Sequence, residues 1–389
     1  MRDGTPYRPG LVEHMDATRR ALLAPESSGA LTPGLRAWAA ARVALLTGRP
    51  DLAATYSAEA ADGPATAGAT STEPPAGDPA LLDAVRRFTD AVTRAPRAAS
   101  PEALGDLTAQ GLGPAEIVSL AQICAFAAFE ARVAAGLALL DAPPAPPAPA
   151  AAPGTAVDPA DDRPTGEQPT GEPVAEEPLT APVFTLAQLT WQPRIPAVDA
   201  GSLSAVQQAV IDAHATLSVA SPYYRTLLHD PAALDHRTHV YNTVMYGRGG
   251  LPRPERELAT LLVSRINGCV YCASVHGRKY AQLSRDEAAA EKVLHTGGAA
   301  LAASPRPAAI ARFAERHTLT PPRTDASDVA ALRAAGLTEV ELTDLVYSVA
   351  LFAWANRLML VLGDAEPSQR PDGDSDGPAA RESCSRTSG

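Results

Sequence analysis

Residues 254–265 read PERELATLLVSR. Leu258, Leu261 and Leu262 fall at i, i+3 and i+4, which is one stripe of a helix. Pro254 suits a first helical turn, where no hydrogen bond is asked of its nitrogen. The stretch predicts an amphipathic helix. The same period runs through most of the chain. SPYYRTLLHDPAALDHRTHVYNTVMYG, residues 221–247, reads as two further short helices broken before Pro231. No convincing period-two alternation occurs, so the fold class is all-α. Aromatic residues make up only 5% of the 389 residues, which suits helices packed through alanine, leucine and valine, with alanine the best helix former.

Asn267-Gly268 is a breaker dipeptide directly after this helix. It ends the helix carrying Glu257 and starts a new one at about Cys269. On that second helix, Cys269, Cys272 and His276 share one face. A thiol in a first turn meets the positive end of the helix dipole, which lowers its pKa. His276, one turn past Cys272, is within reach as a base. Glu257, beside an apolar stripe, is expected to be desolvated with a raised pKa. If the two helices pack across the break, Glu257 can set the tautomer of His276.

Other readings of the pair are weaker. Covalent haem attachment needs a histidine directly after the second cysteine, and Ala273 stands there. A structural zinc site needs four ligands, and only Glu257 could join the three present. Two core cysteines that merely lie close are the bland reading. The sequence therefore predicts a redox-active dithiol with no metal and no cofactor.

Net charge is −11, which argues against a general nucleic-acid or anionic-membrane binder. Four cysteines, Cys124, Cys269, Cys272 and Cys384, are no disulfide framework and suggest a reducing, cytoplasmic setting. The N-terminus carries no apolar signal-like run. The most apolar run, Leu345 to Ala355, is short for a bilayer span, so no membrane association is expected.

The chain divides into residues 1–141, a Pro/Ala-rich acidic linker at 142–181, residues 182–363 and a polar tail at 364–389. Residues 63–78 are an insert of small and turn residues. Linker and tail are expected to be disordered, with Cys384 a free thiol in the tail. The two large segments resemble each other. Gly111, Leu112, Glu116, Leu120, Phe129 and Arg132 pair at one offset with Gly336, Leu337, Glu341, Leu345, Trp354 and Arg357. LTPGLRAWAAARVALL from Leu31 parallels LPRPERELATLLVSRI from Leu251. Such a long period points to duplicated domains.

The pattern Glu257-x11-Cys269-x2-Cys272-x3-His276 resembles that of the AhpD-like alkylhydroperoxidases of the carboxymuconolactone decarboxylase superfamily. The likeness covers residue 221 to about 363, and the first segment resembles a degenerate copy. It implies an all-α fold of two AhpD-like helical domains, self-assembly into a homo-oligomer, and reduction of hydroperoxides. By that resemblance Cys272 is the peroxidatic thiol, Cys269 the resolving thiol, and His276 with Glu257 the proton relay. An external dithiol or protein reductant would restore the pair. Tyr271 departs from relatives that carry a second histidine between the cysteines. The alternatives are a general thiol–disulfide oxidoreductase, or a non-catalytic assembly or redox-sensing protein using the same dithiol.

Several residues receive quieter readings. The first segment has no cysteine or histidine between Pro33 and Ser57 and is expected to be a scaffold. Cys124 reads as a core thiol, His295 and His317 as helix caps, and His236 and His239 as solvated. Tyr223, Tyr224, Tyr241 and Tyr246 read as core packing rather than pocket lining. Asn356 and Arg357 read as contacts across an oligomer interface.

Overall fold

The structure, a computed structural model, describes residues 8–27, 29–60, 74–99, 101–142 and 182–368. The linker, most of the 63–78 insert, Cys384 and nearly all of the tail lie outside the described residues.

The chain is all-α. The first half contains α1 (Leu11–Leu23), α2 (Pro33–Leu46), α3 (Pro50–Ala60), α4 (Pro79–Arg94), α5 (Pro101–Ala109) and α6 (Pro114–Asp141). After the linker come strand β1 (Leu189–Pro193) and helices α7 (Ala205–Ala213), α8 (Pro222–Leu227), α9 (Pro231–Tyr246), α10 (Arg253–Ile266) and α11 (Val270–Ser284). Then follow α12 (Glu287–Thr296), α13 (Pro305–His317), α14 (Ala326–Ala334), α15 (Glu339–Leu362) and strand β2 (Gly363–Pro367). Eight of these helices open on proline. That placement gives many of the chain's prolines a role as start signals, since a fixed φ suits the first turn.

The strands correct the sequence reading in a small way. Residues 363–367, expected to end the domain and begin the tail, pair antiparallel with 189–193, Leu189 opposite Pro367 and Pro193 opposite Gly363. Pairing satisfies backbone groups on both segments. Trp191 of β1 is buried and donates its indole N–H to Met359 O at 3.0 Å.

The centre of the molecule is α6 against α15. Both are long and apolar enough to cross a membrane, longer than the run at 345–355 suggested, yet most of each is buried inside the protein. Each begins in the same way. Gly111 and Gly336 have φ of 88° and 85°, a conformation that glycine adopts without steric cost. Leu112 N then donates to Leu107 O, and Leu337 N to Leu332 O, both at 3.2 Å. Glu116 and Glu341 reach back to the backbone N–H of Gly113 and Thr338, and at Thr338 the hydroxyl accepts from Glu341 N in return, closing a capping box.

The contacts between α6 and α15 are specific. Trp354 donates its indole N–H to Gln122 Oε1 at 2.9 Å and lies among Phe126 and Phe129. Arg132 donates to Thr318 O and Leu319 O, both at 2.9 Å, and to Thr320 Oγ1 at 2.7 Å. Arg357 donates to Thr93 O at 2.8 Å. The readings of Asn356 and Arg357 as oligomer contacts are corrected here: Arg357 reaches the first half of its own chain, and Asn356 bonds within the second half. His317 does not cap its own helix. Its Nε2 lies 2.9 Å from Arg132 O and its Nδ1 lies 2.8 Å from Thr324 Oγ1. The apolar core runs as one cluster through both halves.

Candidate active site

The helix pair α10–α11 builds the site. α10 ends at Asn267, its C-cap, and Gly268 turns the chain with φ 73°. A side chain at Gly268 would collide with Arg97 of the first half, whose Cδ would lie 1.9 Å from the added Cβ. Cys269 is the N-cap of α11, so Cys272 falls in the first turn and His276 one turn later. The turn is held from outside. Asn267 Nδ2 donates to Asn356 Oδ1 at 3.0 Å, and Asn356 Nδ2 donates to Ser264 Oγ at 3.1 Å.

Both cysteines are free thiols and both are buried. The expectation that the helix start lowers the pKa of Cys269 is corrected. Burial comes first, and with Cys272 beside it, it pushes the Cys269 thiol well above the ordinary range. The Cys272 backbone N–H and Asn356 oppose this and lose. An apolar environment disfavours a thiolate more than one helix end favours it.

Glu257 and His276 meet as expected. His276 Nδ1 lies 2.5 Å from Glu257 Oε2, and both side chains are buried. Arg253, one turn before Glu257, donates its Nε to Glu257 Oε1 at 2.6 Å. The raised pKa expected for Glu257 is corrected. Burial pushes the carboxyl up, but the His276 hydrogen bond and the charge of Arg253 outweigh it, so it lies below the ordinary value. His276 is also lowered. Burial is the largest cause, and Glu257 opposes it. At neutral pH the pair is therefore carboxylate and neutral imidazole. An ionised carboxylate can only accept, so Nδ1 carries the proton and Nε2 is the free base. The ring is fixed by Phe352, edge-on at 4.5 Å between centroids.

Cys272 and His276 border one cavity of about 280 Å³. Tyr223, Tyr224, Tyr241 and Tyr246 line it, together with Tyr271 and Arg237. The core-packing reading of the four tyrosines is corrected, because their rings form the cavity wall from α8 and α9. Cys269 borders a different cavity of about 200 Å³, lined in part by Arg97, Arg194 and Tyr271. The two cysteines thus face separate openings.

Sequence reasoning missed Arg253 and Phe352, and it assigned Asn356 to an oligomer interface instead of to this turn. Arg253 had a signal in its i, i+4 spacing to Glu257. Asn356 had one as a polar residue in an apolar run. Phe352 had none, since only the fold brings it to His276. Cys124 is buried, and burial raises its pKa to about 12, as a core thiol requires.

The first half repeats one turn of this site. Gly48 follows α2 with φ 80°, as Gly268 follows α10. In the sequence register that aligns Leu31 with Leu251, Ala37 corresponds to Glu257, Leu52 to Cys272 and Tyr56 to His276. The buried Tyr56 hydroxyl donates to Glu130, which also pairs with Arg19.

Residues 231–316 match the carboxymuconolactone decarboxylase family. No curated protein matches the chain. Among solved structures, an uncharacterized peroxidase-related protein from Silicibacter sp. TM1040 is similar at 22% identity, covering 49% of this chain and 95% of that one with a TM-score of 0.37. The matched segment carries Glu257, the dithiol and His276, and it is there that the chain is similar to the carboxymuconolactone decarboxylase family.

Proposed function

We propose that the protein is a thiol-dependent peroxidase that reduces organic hydroperoxides at Cys272. The observation that carries this reading is the buried Glu257–His276 pair, whose histidine borders the same cavity as Cys272. A redox sensor needs two thiols, but it has no use for an oriented base.

His276 Nε2 takes the proton of the Cys272 thiol. The thiolate sulfur attacks one oxygen of the peroxide and the O–O bond breaks. The leaving alkoxide takes the proton from His276 and departs as alcohol, leaving Cys272 as sulfenic acid. Cys269 then condenses with it, forming the disulfide and releasing water. The high pKa of Cys269 suits this order, because its protonated thiol does not compete for peroxide. A dithiol reductant entering by the Cys269 cavity would attack that sulfur. It would release Cys272 and leave as its own disulfide.

In this reading residues 182–363 are the active domain and residues 1–141 a degenerate copy. The recurring caps, turns and helix pair support that division. Assembly into a homo-oligomer and a cytoplasmic setting belong to the same reading.

The test is single-turnover peroxide consumption by pre-reduced protein, with thiols counted before and after. Loss of two thiols per peroxide consumed is expected. Peroxide left untouched on a timescale of minutes, with thiols intact, would exclude a peroxidase.

A further inference from the structure

Four of the chain's eight histidines gather where α1 of the first half packs on α9 of the second. His14 comes from α1, His236 and His239 from α9, and His214 is the C-cap of α7. Asp235 lies among them. Its Oδ1 is 2.6 Å from His214 Nε2 and 3.9 Å from His239 Nε2, and its Oδ2 is 3.6 Å from His236 Nδ1. His14 stacks on His239 with centroids 4.0 Å apart and planes 7° from parallel. His14 Nδ1 also lies 3.3 Å from His236 Nδ1. The sequence reading of His236 and His239 as solvated is corrected, since both are half-buried against partner rings.

We propose that His214, Asp235 and His239 form a zinc site, separate from the dithiol. One ligand atom from each of the three lies within 4.8 Å of the others. A tetrahedral zinc with ligands at about 2.0–2.2 Å holds them roughly 3.4 Å apart, so small side-chain rotations close the set. Two of the ligands are i, i+4 neighbours on one helix and the third comes from another element, which fixes their directions independently. Two imidazoles with one carboxylate suit zinc over calcium or magnesium, which ask for oxygen. Water would fill the fourth position. His14 is a positioning residue: its ring lies flat on His239 and ties α1 to the site. The sequence alone gave no hint of this, because His14, His214 and His239 are distant along the chain.

The experiment uses the tag-free full chain with Cys269→Ser and Cys272→Ser, so that the dithiol cannot bind metal. The chain is dialysed against zinc chloride and its zinc is counted by mass spectrometry. About one zinc per chain is expected. His239→Ala in this background should weaken binding by at least about 100-fold, more than the loss of an outer-shell partner. Asp235→Asn, which preserves shape, should also weaken it, and His295→Ala should leave it unchanged. Zinc should raise the melting temperature of the parent chain but not of the Asp235→Asn chain. No zinc above that in the dialysis buffer, or equal zinc in the parent, Asp235→Asn and His239→Ala chains, overturns the site.

Discussion

Arg132 and Arg357 each cross to the opposite half of the molecule. Arg132 Nη2 donates to Thr318 O at the end of α13, and Arg357 Nη2 donates to Thr93 O at the end of α4, at 2.9 and 2.8 Å. The two arginines match in the sequence repeat, and so do the two threonines. The relationship is reciprocal, as in an isologous dimer interface, but within one chain.

That reciprocity predicts a large cost for breaking it. Arg132→Met removes the donor to four buried or half-buried acceptors, Ala128 O, Thr318 O, Leu319 O and Thr320 Oγ1. It should lower stability by roughly 3 kcal/mol or more, within the range for losing a buried charged partner. Denaturant unfolding measures it. A loss under about 1 kcal/mol would mean that water replaces the arginine.

The thiols should divide their roles. Cys269→Ser should leave one rapid peroxide reaction, stopping at a trappable sulfenic acid on Cys272. Cys272→Ser should abolish the rapid reaction. A sulfenic acid trapped on Cys269, with Cys272→Ser still fast, would reverse the assignment.

The relay should show itself in rate and in titration. Glu257→Gln and His276→Ala should each slow peroxide reduction by about 10²–10⁴-fold. In the native chain the His276 pKa lies below its ordinary value, because burial outweighs the help of Glu257. Glu257→Gln removes that help, so the His276 pKa should fall further. Nuclear magnetic resonance titration of the imidazole tests the sign, and a rise in Glu257→Gln would contradict the geometry.

His317 should make stability depend on acid. Burial lowers its pKa to about 4. Its contribution is therefore complete above the unfolded value near 6.5 and is lost as pH falls toward 4. Roughly 3 kcal/mol is at stake over that window. His317→Gln should flatten the stability profile between those limits, which urea melts at several pH values would reveal.

The dithiol itself should carry no stoichiometric metal, because it lacks a convincing fourth ligand. Zinc that is lost from the native chain on Cys269→Ser, and kept by Asp235→Asn, would overturn the redox reading.

Much of this was legible in the sequence because it is local. The helix at 254–265, the Asn267-Gly268 break and the positions of Cys272 and His276 follow from spacing and turn chemistry alone. The pairing of Glu257 with His276 followed from one assumption, that neighbouring helices pack across a tight turn. Quantities set by three-dimensional burial were read wrongly. Cys269 was expected to be acidified by its helix end, yet its environment does the opposite. Glu257 was expected to be raised, yet Arg253 and His276 hold it down. The tyrosine wall and the histidine cluster are assembled from distant segments, and one-dimensional spacing carries no record of them.

Tyr56 marks what covalent linkage permits. In a symmetric dimer of identical chains, every substitution occurs twice. A change that silences one centre silences its mate. Here the position matching His276 holds a tyrosine locked onto Glu130, while His276 itself is kept. On the proposed reading of the halves as duplicated domains, joining them on one chain lets the two positions diverge, so that one can be given over to holding the other in shape. Titrating the native chain should then find one reactive dithiol per polypeptide, half the density of an assembly built from identical single domains.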